Sequence, residues 1–161
     1  MIGGDAPEMA VAFEVVDPRH PDAQEALVHY LAEVASNISD PVVGTDDRDE
    51  VDDFTAPSGA FVVVRDEGLV IGCGAVRSLS ADVGEIKRMW IHPSRRGAGL
   101  GGRLLTELEN LCGALGYGIV RLDTNDALAP AIGLYESRGY RRIDRYNDNP
   151  DATHFYEREL R

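Results

Sequence analysis

The chain has 161 residues, enough for one domain (residues 1–161) with an ordinary core, and its hydrophobic fraction of 43% is that of a soluble globular protein. A formal net charge of −12, from 28 acidic and 16 basic residues, argues against nucleic acid and anionic membranes as partners, because both would repel it. The N-terminus is acidic without a leader-like apolar run, and no stretch approaches the about 20 apolar residues that cross a bilayer, so a cytoplasmic protein is expected.

Taken in chain order, Ala12 to Val16 reads as a first strand. A helix opens at Pro21-Asp22, with Ala26, Leu27, Tyr30, Leu31, Val34, Ala35 and Ile38 on one apolar face. Ser39 to Ser58 breaks the pattern. It holds Asp46, Asp47, Asp49, Glu50, Asp52 and Asp53, an acidic cluster expected on a solvated loop or short helix. Ala60 to Arg65 and Leu69 to Leu79 are β-rich and joined as a hairpin at Asp66-Glu67-Gly68. Gly84 to His92 is a further strand. From Gly99 to about Leu115, a helix carries Leu100, Leu104, Leu105, Leu108, Leu111, Cys112 and Leu115 along one side, a spacing that marks core. Ile119 to Asp123 is a strand. Ala129 to Arg138 is a helix that Gly139 closes, and Tyr140 to Arg145 and Thr153 to Leu160 form a last pair of strands. Cys73 and Cys112 lie in apolar surroundings and read as buried, reduced thiols. His20, His29, His92 and His154 show no metal-ligand spacing, so no metal is expected.

The turn between His92 and Leu100 stands out. A strand feeds Pro93-Ser94-Arg95-Arg96-Gly97-Ala98-Gly99, and the next residues start a helix. The first N–H groups of a helix have no internal partners and carry the positive end of its dipole. Glycines there leave bare backbone donors for a pyrophosphate. Two readings compete for the cofactor. Gly97-x-Gly99-x-x-Gly102, with Asp123 about 20 residues on, matches a dinucleotide-binding pattern and would make the chain an oxidoreductase. Against it, the preceding strand mixes Glu85, Lys87 and Arg88 with its apolar residues, whereas a central parallel strand is almost wholly apolar. His92 to Arg96 also separate strand from turn, and little chain remains for a substrate region.

Read as Arg96-x-x-Gly99-x-Gly101, the same residues resemble the acyl-CoA-binding motif of the GNAT superfamily of N-acetyltransferases, and the Met89-Trp90-Ile91 strand end with its His-Pro exit is similar to that family too. Ala131-Ile132-Gly133-Leu134-Tyr135-Glu136-Ser137-Arg138-Gly139-Tyr140 is similar to the family's later motif, Ala-x-x-Leu-Tyr-x-x-x-Gly-aromatic. Two motifs in order are far more specific than one. The resemblance covers Ala60 to the C-terminus and the first part only loosely. It implies an α/β (α+β) GNAT fold: a mixed, mainly antiparallel sheet of about seven strands flanked by helices. It also implies acetyl-CoA as cosubstrate, and a small-molecule amine or basic peptide as acceptor. Dimers are frequent in the family, so a homodimer is among the assemblies it implies.

Acyl transfer to an amine requires the ammonium, whose usual pKa is about 10.4, to lose a proton. Positioning and general acid–base help then suffice, and no protein nucleophile is needed. Holding the cosubstrate falls to the backbone of Arg96, Gly97, Ala98, Gly99, Leu100 and Gly101. The resemblance adds that the backbone of Met89, Trp90 and Ile91 pairs with the pantetheine arm, its amides facing the thioester carbonyl. Arg95, Arg96 and Arg103 are in position to meet phosphates, or to stand solvated. The resemblance makes Tyr135 the acid for the departing thiolate; its other role would be an aromatic packed between helix and sheet. Leu128 stands where the family often has an Asn seven residues before that Tyr, with Asn125 and Asp126 nearby but off register. Asn125 is retained as a cofactor contact. Glu85, eleven residues before Arg96, is the candidate base, the alternative being a Glu paired with Lys87 or Arg77. His92 is a second candidate base. Asn147, Asp148 and His154 are candidates to line the acceptor pocket. A CoA-binding protein of the same fold without efficient turnover is the alternative function; intact Tyr135 and Glu85 speak against it.

Overall fold

Local chemistry accounts for most boundaries in the computed structural model, which describes residues 11–37, 51–126 and 129–160. Strand β1 (Val11–Val16) leads into helix α1 (Pro21–Asn37), where Pro21 fits the first helical position and Asp22 the positive end of the dipole. A 3₁₀ turn (Val51–Phe54) precedes β2 (Ala60–Asp66) and β3 (Leu69–Ser80). Glu67 and Gly68, with φ of 51° and 88°, make a turn with two left-handed residues, whose twist suits a tight hairpin. Then come β4 (Val83–Ile91), a 3₁₀ turn (Pro93–Arg95), helix α2 (Leu100–Ala114), β5 (Ile119–Thr124), helix α3 (Ala129–Ser137), β6 (Arg141–Ile143) and β7 (His154–Glu159). Both α2 and α3 end on a left-handed glycine, Gly116 and Gly139. In each case the next N–H reaches back, Tyr117 to the Cys112 carbonyl at 3.0 Å and Tyr140 to that of Tyr135 at 3.1 Å.

The seven strands form one sheet in the order β1-β2-β3-β4-β5-β7-β6. Every neighbouring pair is antiparallel except β4 and β5. This is the mixed, mainly antiparallel sheet expected, and it excludes the doubly wound parallel alternative and with it the dinucleotide reading.

Alternation along β2 shows how both faces are covered. Phe61 and Val63 face α1, joining Ala23, Ala26, Phe54, Cys73, Ala75 and Trp90. Val62 and Val64 face α2, joining Ile86, Ile91 and the leucine stripe of Leu100, Leu104, Leu105 and Leu108. The α1 face departs from expectation: Ala23 is fully buried, Ala35 is exposed, and Ile38 lies outside the described residues. In the acidic cluster, Asp52 and Asp53 fall in the 3₁₀ turn, while Asp46, Asp47, Asp49 and Glu50 lie outside the described residues.

Candidate active site

The site is built on a fork in the sheet. β4 and β5 are in register only over Val83–Glu85 and Ile119–Arg121. From Ile86 to Ile91, β4 runs on with no strand neighbour on that side among the described residues. Its course also changes there. Lys87 faces Ala75 and Trp90 faces Cys73, so Arg88 and Met89 together span the width of one residue opposite. This is a β-bulge, and Arg88 sits in it at φ 60°, a region that costs an L-residue on the order of 1–3 kcal/mol. Ile86, Met89 and Ile91 all pack on the α2 face despite spacings of three and then two, because the bulge shifts the pleat by one residue.

On one side of the fork lies the glycine turn. Gly97 and Gly99 take φ of 89° and 80°, which side chains resist, and Gly99 caps α2 without any side-chain hydrogen bond. The first internal helical bond runs from Arg103 N–H to the Gly99 carbonyl, at 3.1 Å. The N–H groups of Leu100, Gly101 and Gly102 therefore precede the helical ladder. No acidic residue occupies the first turn of α2. Gly101 is neither left-handed nor crowded, since a Cβ there would meet only Leu134 Cδ2 at 3.7 Å. The fold itself does not demand a glycine here, and a side chain would add bulk in the first turn of α2, beside its free N–H groups. Bare donors, no opposing carboxylate and an open cradle fit a phosphorylated group.

The arginines around the turn have other partners. Arg96 donates from Nε to the Ile91 carbonyl at 2.9 Å and from Nη2 to Glu33 at 2.5 Å, bracing the turn against α1. Arg95 pairs with Asp66, and Arg103 lies over the Phe13 ring at 5.2 Å. Trp90 is buried and stacks on His29 at 5.1 Å, with His92 edge-on at 5.8 Å. His92 accepts from Ser94 N–H at 3.1 Å and is thereby the cap of the 3₁₀ turn. Leu100 points into the core, leaving only its backbone to the turn, and Ala98 is exposed. Asn125 donates to the Asp151 carbonyl at 2.5 Å, tying the end of β5 to the approach to β7. Leu128 lies outside the described residues.

The candidate acid–base groups are Tyr135, against Met89, and Glu85, at the last position of β4 that pairs with β5. Tyr135 is buried on α3, its hydroxyl 3.7 Å from Met89 Sδ on the unpaired stretch of β4. Burial above all, with smaller contributions from Tyr30 and Asp123, pushes its phenol well above the usual range, so it is protonated at neutral pH. Tyr30, from α1, sits under the Arg88 guanidinium at 5.8 Å and is pushed up to about 12, chiefly by burial. Glu85 has no exposed surface. Its Oε1 accepts from Arg77 Nε at 2.8 Å, across the β3–β4 ladder. Its Oε2 accepts from the Tyr146 hydroxyl at 2.5 Å and from Asn147 Nδ2 at 3.2 Å. The same Asn147 nitrogen reaches Asp123 Oδ2 at 2.6 Å, so one amide bridges carboxylates from the two diverging strands. Both pairings foreseen for Glu85 were with basic neighbours; Arg77 is the one formed, in the interior rather than at the surface.

Tyr30, Arg88 and Tyr146 were not singled out from the sequence as site residues. Arg88 had a signal, the consecutive charges Lys87-Arg88 in a strand that otherwise alternates. Tyr146 had none, since it lies in an irregular segment between β6 and β7 with no periodicity to place it.

A model of the acetyltransferase (GNAT) family matches residues 28–140. An uncharacterized N-acetyltransferase of Schizosaccharomyces pombe is 33% identical over 139 residues, 85% of each chain. Two solved structures share the fold. A GNAT-family acetyltransferase from Staphylococcus aureus superposes with a TM-score of 0.77 at 19% identity, covering 93% of this chain and 100% of its own. One from Elizabethkingia anophelis, solved with acetyl-CoA bound, gives 0.69 at 17% identity, covering 94% and 99%.

Proposed function

The chain belongs to the acetyltransferase (GNAT) family, and on that premise we propose that it moves an acetyl group from acetyl-CoA to a primary amine by direct transfer in a ternary complex. The observation that carries the reading is the fork between β4 and β5. It leaves a free strand edge from Ile86 to Ile91, with the bare amides of α2 beyond its end and a buried carboxylate at its root.

The cosubstrate supplies an activated acetyl group whose C–S bond breaks as the new C–N bond forms. The protein's residues hold and move protons around that exchange. Gly97 to Gly101 present backbone N–H groups to phosphate, the Arg96 N–H being held by the Pro93 carbonyl at 3.3 Å, with Arg103 close behind, and the Met89–Ile91 backbone offers the free edge along which an extended arm can pair. Asn125 holds the wall formed by the end of β5. In becoming an amide the acceptor ammonium sheds two protons. Glu85 takes the first, to be released before the next turnover. The second leaves as the C–N bond forms and replaces the proton that Tyr135 gives to the departing sulfur. Two free, buried cysteines, Cys73 and Cys112, suit a reducing compartment such as the cytoplasm. No helix is long and apolar enough to cross a membrane among the described residues.

The test is release of free thiol from acetyl-CoA across a panel of primary amines. Amine-dependent release that Glu85→Gln and Tyr135→Phe each reduce at least tenfold is expected. Release that ignores both substitutions would remove Glu85 and Tyr135 from the mechanism.

A further inference from the structure

Glu85 poses a problem of access. Its carboxylate is fully buried, with Arg77 donating to Oε1 and Tyr146 and Asn147 to Oε2. These three groups are the protein's own points of contact through which a proton from an acceptor can reach it. Arg77 offers no lone pair, and its guanidinium also holds Asp53 at 3.3 Å. The Asn147 amide nitrogen likewise has no lone pair to accept with. The Tyr146 hydroxyl is different. Its oxygen can take one hydrogen while its own hydrogen moves on, and its residue is half-buried where Glu85 is not exposed at all.

We propose that the Tyr146 hydroxyl is the relay through which Glu85 deprotonates the acceptor. The proposal rests on Glu85 being the base. An N–H proton of the acceptor ammonium passes to Tyr146 Oη as the phenolic hydrogen passes to Glu85 Oε2 along the 2.5 Å hydrogen bond. Tyr146 ends neutral, Glu85 ends protonated, and the amine keeps the electron pair it needs. The segment between β6 and β7 thus supplies a catalytic group as well as a wall. Two contacts fix the ring in place, since it lies edge-on to Phe155 at 5.5 Å and beneath the Arg121 guanidinium at 5.5 Å. The charged groups around the relay are Arg77 from β3, Arg121 and Asp123 from β5, and Asp53 behind Arg77.

Tyr146→Phe keeps those ring contacts and removes the relay hydroxyl together with its hydrogen bond to Glu85. Glu85→Gln, Tyr146→Phe and the double variant should be compared for kcat with one active amine, with acetyl-CoA affinity and near-UV circular dichroism as controls for folding. A relay predicts that each single variant loses at least tenfold in kcat and that the double variant is no slower than Glu85→Gln, because both act on one proton path. It also predicts that the Tyr146→Phe deficit shrinks as pH rises past the acceptor's own pKa, where the amine arrives neutral. A deficit that is constant with pH, or multiplies with that of Glu85→Gln, would assign Tyr146 to structure and overturn the relay. An impaired Glu85→Gln beside a fully active Tyr146→Phe would overturn the relay and leave the base in place. A fully active Glu85→Gln would overturn both.

Discussion

A carboxylate without exposed surface depends on its partners, and for Glu85 the charged one is Arg77. Removing one partner of a buried ion pair costs about 3–5 kcal/mol, because the other charge is left desolvated. Arg77→Met should therefore lower unfolding free energy by that order in urea titrations, whereas replacing Arg19, exposed and paired with the exposed Asp52, should leave the urea midpoint almost unchanged. Tyr135 presents the opposite case. Among the described residues its hydroxyl meets a thioether, a weak acceptor at 3.7 Å, so Tyr135→Phe should change stability by less than about 1 kcal/mol while lowering kcat by about 10²-fold or more. A stability loss matching the activity loss would return Tyr135 to a packing role. At this scale, legibility followed local motif. The family resemblance pointed to Tyr135 through its place before Gly139 and to Glu85 through its place before Arg96, but the contact between Glu85 and Tyr146 joins residues 61 apart in sequence.

Glycines of similar appearance divide into two kinds at the scale of the element. Gly84, in β4, is packed by its neighbours: an added Cβ would stand 2.7 Å from Tyr117 Cδ2 and 3.2 Å from Cys112 Sγ. Gly84→Ala should lower stability by about 1–3 kcal/mol, through overpacking against α2 and the residue that follows it. Gly101 is uncrowded, an added Cβ making an ordinary contact with Leu134 Cδ2 at 3.7 Å, so a side chain there should leave the urea midpoint almost unchanged while blocking the helix end. The hairpins, the leucine stripe and the glycine stops could all be read from period and turn chemistry. The bulge in β4 was only half readable. The spacing Ile86, Met89, Ile91 breaks a two-residue period, yet nothing in it says that the extra residue will be Arg88 with a left-handed backbone.

For the molecule as a whole, the arrangement of charges sets the response to acid. Glu157 is buried between Arg121 and Arg141, and the Arg121 hydrogen bond foremost, with the charges of both arginines, holds its carboxyl below the usual value of 4.5. A depressed folded-state pKa stabilises fully above the unfolded value and is lost as pH falls through the folded one. Asp22, lowered chiefly by its hydrogen bond to Arg65, acts in the same direction. Unfolding free energy should thus decline as pH drops below about 4.5, and Glu157→Gln should flatten that decline in urea titrations run across the range. An unchanged slope would place the acid response elsewhere. The overall sheet was foreseeable because hairpins dictate antiparallel neighbours and motif order supplied the rest. The depth of the fork was not, since three paired residues between β4 and β5 reflect how two helices and a closing loop divide the space around them.

The proposed chemistry depends first on the amides at the start of α2 holding acetyl-CoA. Calorimetric titration of the intact protein and of Gly101→Leu with acetyl-CoA, and separately with NAD, measures that binding without any assumption about the acceptor. Micromolar binding of acetyl-CoA by the intact protein is expected, with its loss in a Gly101→Leu variant that remains folded, and no binding of NAD. Binding of NAD without acetyl-CoA would overturn the acetyltransferase reading, and equal acetyl-CoA binding by a folded Gly101→Leu would remove the helix end from the cosubstrate site.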